Sequence, residues 1–297
     1  MSADVYSIVT ERMIALLEAG VNPWRKTWCG GDSPRNLISK KPYRGVNTLL
    51  LGSAAFASPY WLTFNQVQQL NGRVKKGAKS ELVIFWKFFD DQKETGEASG
   101  GEPTTKRRPP ILRYYRVFSV EQTEGLEKHL PPEERSFTPI ETAARIVEAM
   151  PQRPPIRHDE PRAYYAPARD LVNLPRPEMF DTSENYYAVA FHELTHATGH
   201  ESRLNRAGVA GSQLAAFGSA DYSREELIAE LGSAFLCAEA GIQSTLDNSS
   251  AYLKGWLEAL RGDARLMVTA ASAAQRAADF ILGRNAQKSA ECETASE

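Results

Sequence analysis

Residues 190–200 read AFHELTHATGH. His192 and His196 stand four apart, and residues four apart share one face of a helix, so both imidazoles can reach a single cation. Glu193 adjoins His192 without sharing its ligating position. It can take a proton from a water that the cation activates. Zn2+ suits this set, because it accepts imidazole ligands and lowers the pKa of a bound water to about 7. The local sequence supports a helix with one packed side: a Ser/Asp-rich start at 181–183, an apolar run from Tyr186 to Phe191, and Gly199 as a stop. A surface helix holding two histidines by chance is the plain alternative. A third ligand elsewhere in the chain argues against it.

Position 202 is Ser, so no histidine stands ten positions after His192. His200 lies about two helical turns from His192, beyond easy reach of a shared ion unless the helix breaks at Gly199. His158 sits in a Pro-rich segment. The stretch EELIAELGSAFL supplies Glu225, Glu226 and Glu230, with Glu226 and Glu230 on one face. It resembles the gluzincin arrangement Glu-x-x-x-Asp/Glu, in which the first acid binds zinc and the second orients a ligating histidine. Glu226 is therefore favoured as third ligand over Glu230, and either over His200. A donor for a developing oxyanion is also required, with Tyr222, Tyr164 and Tyr165 as candidates.

The other half of the chain has a different character. Residues 1–130 hold 19 Lys and Arg against 13 Asp and Glu, and the rest hold 16 against 24, within a net charge of −2. That asymmetry suggests two functions, one facing a polyanion. Four of the five tryptophans, Trp24, Trp28, Trp61 and Trp86, fall in this basic half. Cations that follow phosphates and rings that stack on bases suit a single strand of nucleic acid. The candidates for binding are Trp24, Arg25, Lys26 and Trp28 in NPWRKTW, Lys41, Tyr43 and Arg44 in SKKPYRG, and Arg73, Lys75, Lys76 and Lys79 in RVKKGAK. The last is a glycine-containing basic turn suited to phosphates. Trp61, Phe64, Phe85 and Phe88 read mostly as core. No recognition-helix pattern for duplex DNA is found.

The elements that must carry these residues follow from periodicity. Residues 3–19 form a helix with Val5, Ile8, Val9, Met13, Leu16 and Leu17 on one face. Thr63 caps a short helix that ends before Gly72. Residues 81–89 and 111–120 are strands, joined by a polar, Gly/Pro-rich loop. Residues 131–138 form the domain boundary, and Thr138-Pro-Ile-Glu141 is a capping box. Residues 151–180, with seven prolines, hold two short extended pieces around AYYAP and DLVNLP that suit edge strands. Helices follow at 183–198, 223–240, 249–261 and 263–282. A second capping box, Ser223-Arg-Glu-Glu226, opens one of them, and an Ala-rich packing face runs through the last. The fold class is α+β in two domains: a mixed α/β nucleic-acid-binding domain over 1–130 and a mainly helical domain over 138–297.

Three scattered cysteines without a CxxC argue against a disulfide framework and fit a reducing cytosol. The N-terminus has no signal-peptide pattern, and no apolar run approaches the ~18 residues of a membrane span.

The long stretches PRNLISKKPYRGVNTLLL, WLTFNQVQQLNGRVKKGAKSELVIFWK, FHELTHATGHESRLNR and YSREELIAELGSAFLCAEAGI resemble the ArdC family of plasmid antirestriction proteins, related to the N-terminal part of a plasmid primase. The resemblance covers nearly the whole chain. It implies an N-terminal domain that binds single-stranded DNA, a C-terminal zincin-like metallopeptidase domain, and protection of incoming plasmid DNA from host restriction during conjugation. Two other readings stay open. One is a DNA-dependent zinc protease cleaving a restriction subunit or a DNA-bound protein. The other is a binding protein whose metal is structural.

Overall fold

In the computed structural model, the described residues are 4–19, 33–54, 56, 58–87, 111–131, 139–209, 220–242 and 250–284. Helix α1 (Val5–Glu18) starts at Asp4, whose carboxylate accepts from the Tyr6 N–H, and it buries Val9, Thr10, Met13 and Leu17. Then come β1 (Arg35–Asn36), α2 (Val46–Gly52), β2 (Tyr60–Thr63), α3 (Phe64–Gln69) and β3 (Arg73–Val74). Thr63 caps α3, and the Gln66 side chain closes the capping box. Strands β4 (Glu81–Lys87) and β5 (Ile111–Ser119) pair antiparallel, with Glu81 opposite Val117 and Lys87 opposite Ile111. They belong to a four-stranded sheet in the order β1-β2-β5-β4, while β6 (Thr123–Glu124) pairs with β3. The loop expected between β4 and β5 lies outside the described residues.

The edge of that sheet at β4 is closed by a side chain. Asn47 of α2 donates to the Ile84 carbonyl and accepts from the Ile84 N–H, both at 2.7 Å. A buried amide thereby stands in for a neighbouring strand and holds α2 on the sheet.

Downstream lie α4 (Pro139–Ala149), β7 (Ile156–Arg157), β8 (Tyr164–Ala166) and β9 (Leu171–Asn173), the strands forming a sheet in the order β7-β9-β8. The DLVNLP segment was expected at an edge, yet β9 is central. Its proline, Pro175, falls after the strand, so every residue of β9 keeps an N–H, and β7 pairs with it in parallel. Helices α5 (Ser183–Ala197), α6 (Ala220–Ala240), α7 (Ser250–Gly262) and α8 (Leu266–Ile281) complete the chain. Helix α6 begins three residues before Ser223, so the expected capping box there does not form and Glu226 is not drawn back to the helix start. Thr138, of the other expected box, lies outside the described residues.

One apolar cluster joins both halves of the chain. It contains Val9, Met13 and Leu17 of α1, Leu49 and Leu50 of α2, Phe191 and Leu194 of α5, Leu227 and Leu231 of α6, and Met267 and Ala274 of α8. Helix α1 packs on α7 and α8, and the Thr10 hydroxyl donates to the Ala264 carbonyl at 2.7 Å. Arg44 is ion-paired with Asp279 of α8, and the Gly45 N–H donates to the Gln275 side chain at 2.9 Å. On the Ala-rich packing face of α8, Leu266, Met267, Ala270, Ala273, Ala274, Ala277, Ala278 and Ile281 are all buried.

Helices α5 and α6 approach closely because Gly232 has no side chain. A methyl there would stand 2.5 Å from Thr195 Cγ2 and 2.6 Å from its hydroxyl. Ser233 locks the contact by donating to the Ala188 carbonyl at 2.8 Å.

The Asn47 bridge gives a stability prediction. Asn47→Ala leaves the buried N–H and C=O of Ile84 without partners, at about 1–3 kcal/mol per group. Urea denaturation of the variant is expected to show a loss of at least about 2 kcal/mol, and a change within about 0.5 kcal/mol would contradict this role.

Candidate metal centre

Helices α5 and α6 run antiparallel at the site: His192 faces Glu226 and Glu230, whereas His196 faces Glu225 and Glu226. The Nε2 atoms of His192 and His196 are 3.2 Å apart, and each lies 3.6 Å from an oxygen of Glu226. The two distances run to different oxygens of the carboxylate, and one donor atom from each of the three residues lies within 4.8 Å of the others, near the ~3.3 Å that separates donors on a tetrahedral Zn2+. These three residues form a possible metal-holding group among the described residues. Glu193 is buried beside them.

The other imidazole nitrogens meet carboxylates. His196 Nδ1 is 3.2 Å from Glu225, and His192 Nδ1, which is buried without a hydrogen bond, is 3.7 Å from Glu230. A carboxylate at Nδ1 holds the proton there and turns the Nε2 lone pair toward the cation. Glu225 is itself clamped by Arg206, whose Nε and Nη2 donate to its two oxygens at 3.1 and 2.5 Å. Arg206 also donates to the Thr198 hydroxyl and the Thr195 carbonyl, tying the end of α5 to α6.

The charges gathered here suit a cation. Four carboxylates, Glu193, Glu225, Glu226 and Glu230, surround two imidazoles and one guanidinium. Burial works against a charged His192, but the hydrogen bond to Glu226 and the charges of Glu193 and Glu230 push its pKa up to about 9. Burial raises the carboxyl of Glu226, yet hydrogen bonds to His192 and from Tyr222 and the charge of His196 bring it below its ordinary value. Glu225 is likewise lowered against burial by His196 and Arg206. Burial keeps Glu230 above the ordinary value, helped by Glu226 and Glu193.

The site opens on a cleft of about 400 Å³ lined by Tyr164, Tyr165, Glu193 and Tyr222 as well as the three candidate ligands. Tyr165 donates to Asp170 at 2.8 Å, and Asp170 is ion-paired with the buried Arg203. Tyr164 donates to Glu160 at 3.0 Å. His200 contacts Ser202 and His158 contacts the Leu174 carbonyl, so neither joins the group.

The structure distributes the proposed DNA contacts unevenly. Trp24, Arg25, Lys26 and Trp28 lie outside the described residues. Lys41 is half-buried in the turn after β1. Tyr43 is only 8% exposed and packs with Leu51, Trp61, Val83 and Val117. The expectation that its ring stacks on a base is corrected: its N–H is held by the Pro34 carbonyl and the ring turns inward. The Arg44 guanidinium is ion-paired with Asp279 of α8 and remains about one-third exposed. Arg73, Lys75, Lys76 and Lys79 are exposed, with the Lys75 ammonium donating to the Glu121 carbonyl at 2.8 Å. Trp61 is buried as expected, whereas Phe64, on the outer side of the first turn of α3, is 49% exposed. Phe88 lies outside the described residues.

The support given by Glu225 and Arg206 is absent from the sequence reading. Three acids within six residues of α6 exceed what a helix start requires, and that surplus was the available signal. Arg206, in a loop beyond α5, offers none.

Residues 3–118 match the family model of the N-terminal domain of anti-restriction factor ArdC, and residues 141–273 match that of a zincin-like metallopeptidase. The chain is 37% identical over 287 residues to uncharacterized protein y4eC of Sinorhizobium fredii, covering 94% of this chain and 91% of that protein. It is 37% identical over 290 residues to DNA primase TraC of Escherichia coli, covering 92% of this chain but only 26% of the primase. It thus spans about a quarter of that relative. The Mn(II)-bound crystal structure of antirestriction ArdC protein from plasmid R388 superposes with a TM-score of 0.74 at 34% identity, covering 94% of this chain and 97% of that one. The metal-free structure of the same protein gives a TM-score of 0.73 at 33% identity over 98% and 100% of the chains.

Removing the carboxylate behind His196 tests the geometry. Glu225→Gln is expected to weaken divalent-metal affinity tenfold to a hundredfold, the range found for such supporting partners. Competition with a chromophoric chelator measures it, and unchanged affinity would show that Glu225 does not orient the imidazole.

Proposed function

The chain belongs to the ArdC antirestriction family, and on that footing we propose that it binds single-stranded DNA and protects incoming plasmid DNA from host restriction during conjugation. In this reading it works in the bacterial cytoplasm and carries a zinc centre of gluzincin type. The observation that carries the metal assignment is the convergence of one donor atom each from His192, His196 and Glu226 within 4.8 Å. The manganese of the R388 relative supports a divalent ion at such a site. Two imidazoles and one carboxylate favour Zn2+ here, since Mn2+ prefers an octahedral oxygen set.

When bound, zinc supplies a water of pKa near 7 and polarises a carbonyl oxygen. Glu193, in the cleft wall, accepts the proton of the attacking water and hands it to the leaving amine. Tyr222, hydrogen-bonded to Glu226 at the cleft, would supply a hydroxyl able to donate to a developing oxyanion. Glu225, hydrogen-bonded to His196 Nδ1, holds that imidazole in the ligating tautomer, and Glu230 offers its carboxylate 3.7 Å from His192 Nδ1. Three protein ligands and an open cleft favour a reactive centre over a purely structural one, whose four positions are normally filled by protein. A DNA-dependent protease with a restriction subunit or DNA-bound protein as substrate is the second reading, favoured by that same cleft.

The basic half and the relation to a protein named as a DNA primase support a nucleic-acid partner. Protection by coating requires no hydrolysis, because a covered strand hides its restriction sites stoichiometrically.

Two experiments separate these readings. With the full chain, affinity for a thymidine oligonucleotide is expected to fall with salt, at a log–log slope of about −0.7 per phosphate contacted. A flat dependence would remove the DNA partner. Glu193→Ala is expected to keep metal, fold and DNA affinity while any peptide cleavage falls by about 10²–10⁴-fold. A plasmid-entry assay with this variant is expected to show full protection; loss of protection would transfer the function to proteolysis.

A further inference from the structure

Strand β5 changes surroundings midway. From Val117 to Ser119 it pairs with β2, and β4 reaches only to Val117, but from Ile111 to Arg116 β4 is its only partner strand among the described residues. Along this open half, Tyr114 is 46% and Tyr115 44% exposed, and Arg113 and Arg116 flank them in solvent. Tyrosines this open need a reason, since the interior of the protein lies within reach. Tyr115 stands edge-on to Phe85 at 5.7 Å, and Phe85 leans on the buried Tyr43 at 6.2 Å, so an aromatic column anchors it to the core. Tyr114 has no ring contact or hydrogen bond with any described residue.

Most of the cations around them are uncompensated, while Arg116 shares the charge of Glu81 with Arg12. Arg113, Lys76 and Lys79 make no ion pair with a described residue. The basic turn abuts this end of β5: Arg116 reaches Ser80 at 3.5 Å, and the Lys79 carbonyl accepts from Gln122, just past the strand. Gly77, at the tip of the turn, has a φ of +85° and open space where a side chain would stand, so the backbone there is accessible to a phosphate. Alternation along β5 puts Tyr114 and Arg116 on one face, about 6.8 Å apart, and Arg113 and Tyr115 on the other, so a strand lying along the open edge meets a ring and a cation on either side.

We propose that the open half of β5, with Tyr114 and Tyr115 as stacking rings and Arg113, Arg116, Lys76 and Lys79 as phosphate contacts, is the docking surface for single-stranded DNA. This rests on the DNA-binding reading above and gives it a location. A single strand fits where a duplex does not, because the tyrosines can stack only on bases whose faces are free. The arginines flanking the rings also guard the open edge against pairing with another strand of protein.

The test uses the full-length protein and a fluorescein-labelled thymidine oligonucleotide. Tyr114→Ala and Tyr115→Ala are each expected to weaken binding by roughly tenfold, as loss of one stacked base does. Tyr114→Phe, which keeps the ring, is expected to bind as the parent does. Arg116→Ala is expected to weaken binding and to lower the salt slope by about 0.7. With bromodeoxyuridine in the oligonucleotide, ultraviolet cross-links are expected in the peptide carrying residues 114 and 115. If the parent protein binds no single-stranded DNA, the functional reading itself fails. If the parent binds but both alanine variants keep its affinity and the cross-links fall elsewhere, the placement on β5 is overturned. A change of the parent's oligomeric state in those variants, with DNA affinity unchanged, would assign the edge to protein pairing instead and likewise overturn it.

Discussion

The close approach of α5 and α6 is the constraint on which the site depends. Glycine at 232 lets Thr195 lie against the backbone of α6. At that separation, and with the helices antiparallel, Glu226 meets two imidazoles while Glu225 and Glu230 meet their far nitrogens. A larger residue at 232 would push the helices apart by the width of a methyl group and break each of these contacts together. The surrounding core, with Phe191, Leu194, Leu227 and Leu231 fully buried, supplies the apolar burial that holds four carboxylates near one another despite their repulsion. A divalent ion relieves that repulsion, so packing and metal affinity reinforce each other.

The basic half is built onto the same core rather than appended to it. Helix α1 packs on α7 and α8, α2 is tied to α8 through Arg44 and Asp279, and Asn47 of α2 closes the edge of β4. The sheet that carries β5 is thus joined through α2 to α8, which itself packs on α6. Strain applied at the sheet has a contiguous route of packed side chains to the helix that bears Glu226.

Legibility in the sequence followed the range of the interaction. The His192-Glu193-x-x-His196 spacing and the acid pair Glu226 and Glu230 are read within one helical turn, and the structure brings them to one place. Helix faces such as that of α8 were equally plain, because periodicity records burial directly. Tyr43 misled, since a Pro/Gly-rich surrounding looks exposed, whereas its ring fills a small core, and the partner of Arg44 stands 235 positions away. Ser223 misled for a different reason: an N-cap pattern can fall inside a helix that begins earlier. Tyr114 and Tyr115 lie in a segment read simply as a strand, and the strand pattern does not tell which of its residues lack a neighbouring strand. Among the described residues, only the limited length of β2 leaves half of β5 with β4 as its one partner strand.

The central claim is that two imidazoles and Glu226 hold one divalent ion against α5. X-ray absorption at the zinc edge of the zinc-loaded protein tests it most directly. The account predicts four light N or O scatterers at about 2.0–2.1 Å, with the multiple-scattering signature of two imidazoles. A sulfur shell near 2.3 Å, or a spectrum without imidazole scattering, would contradict it.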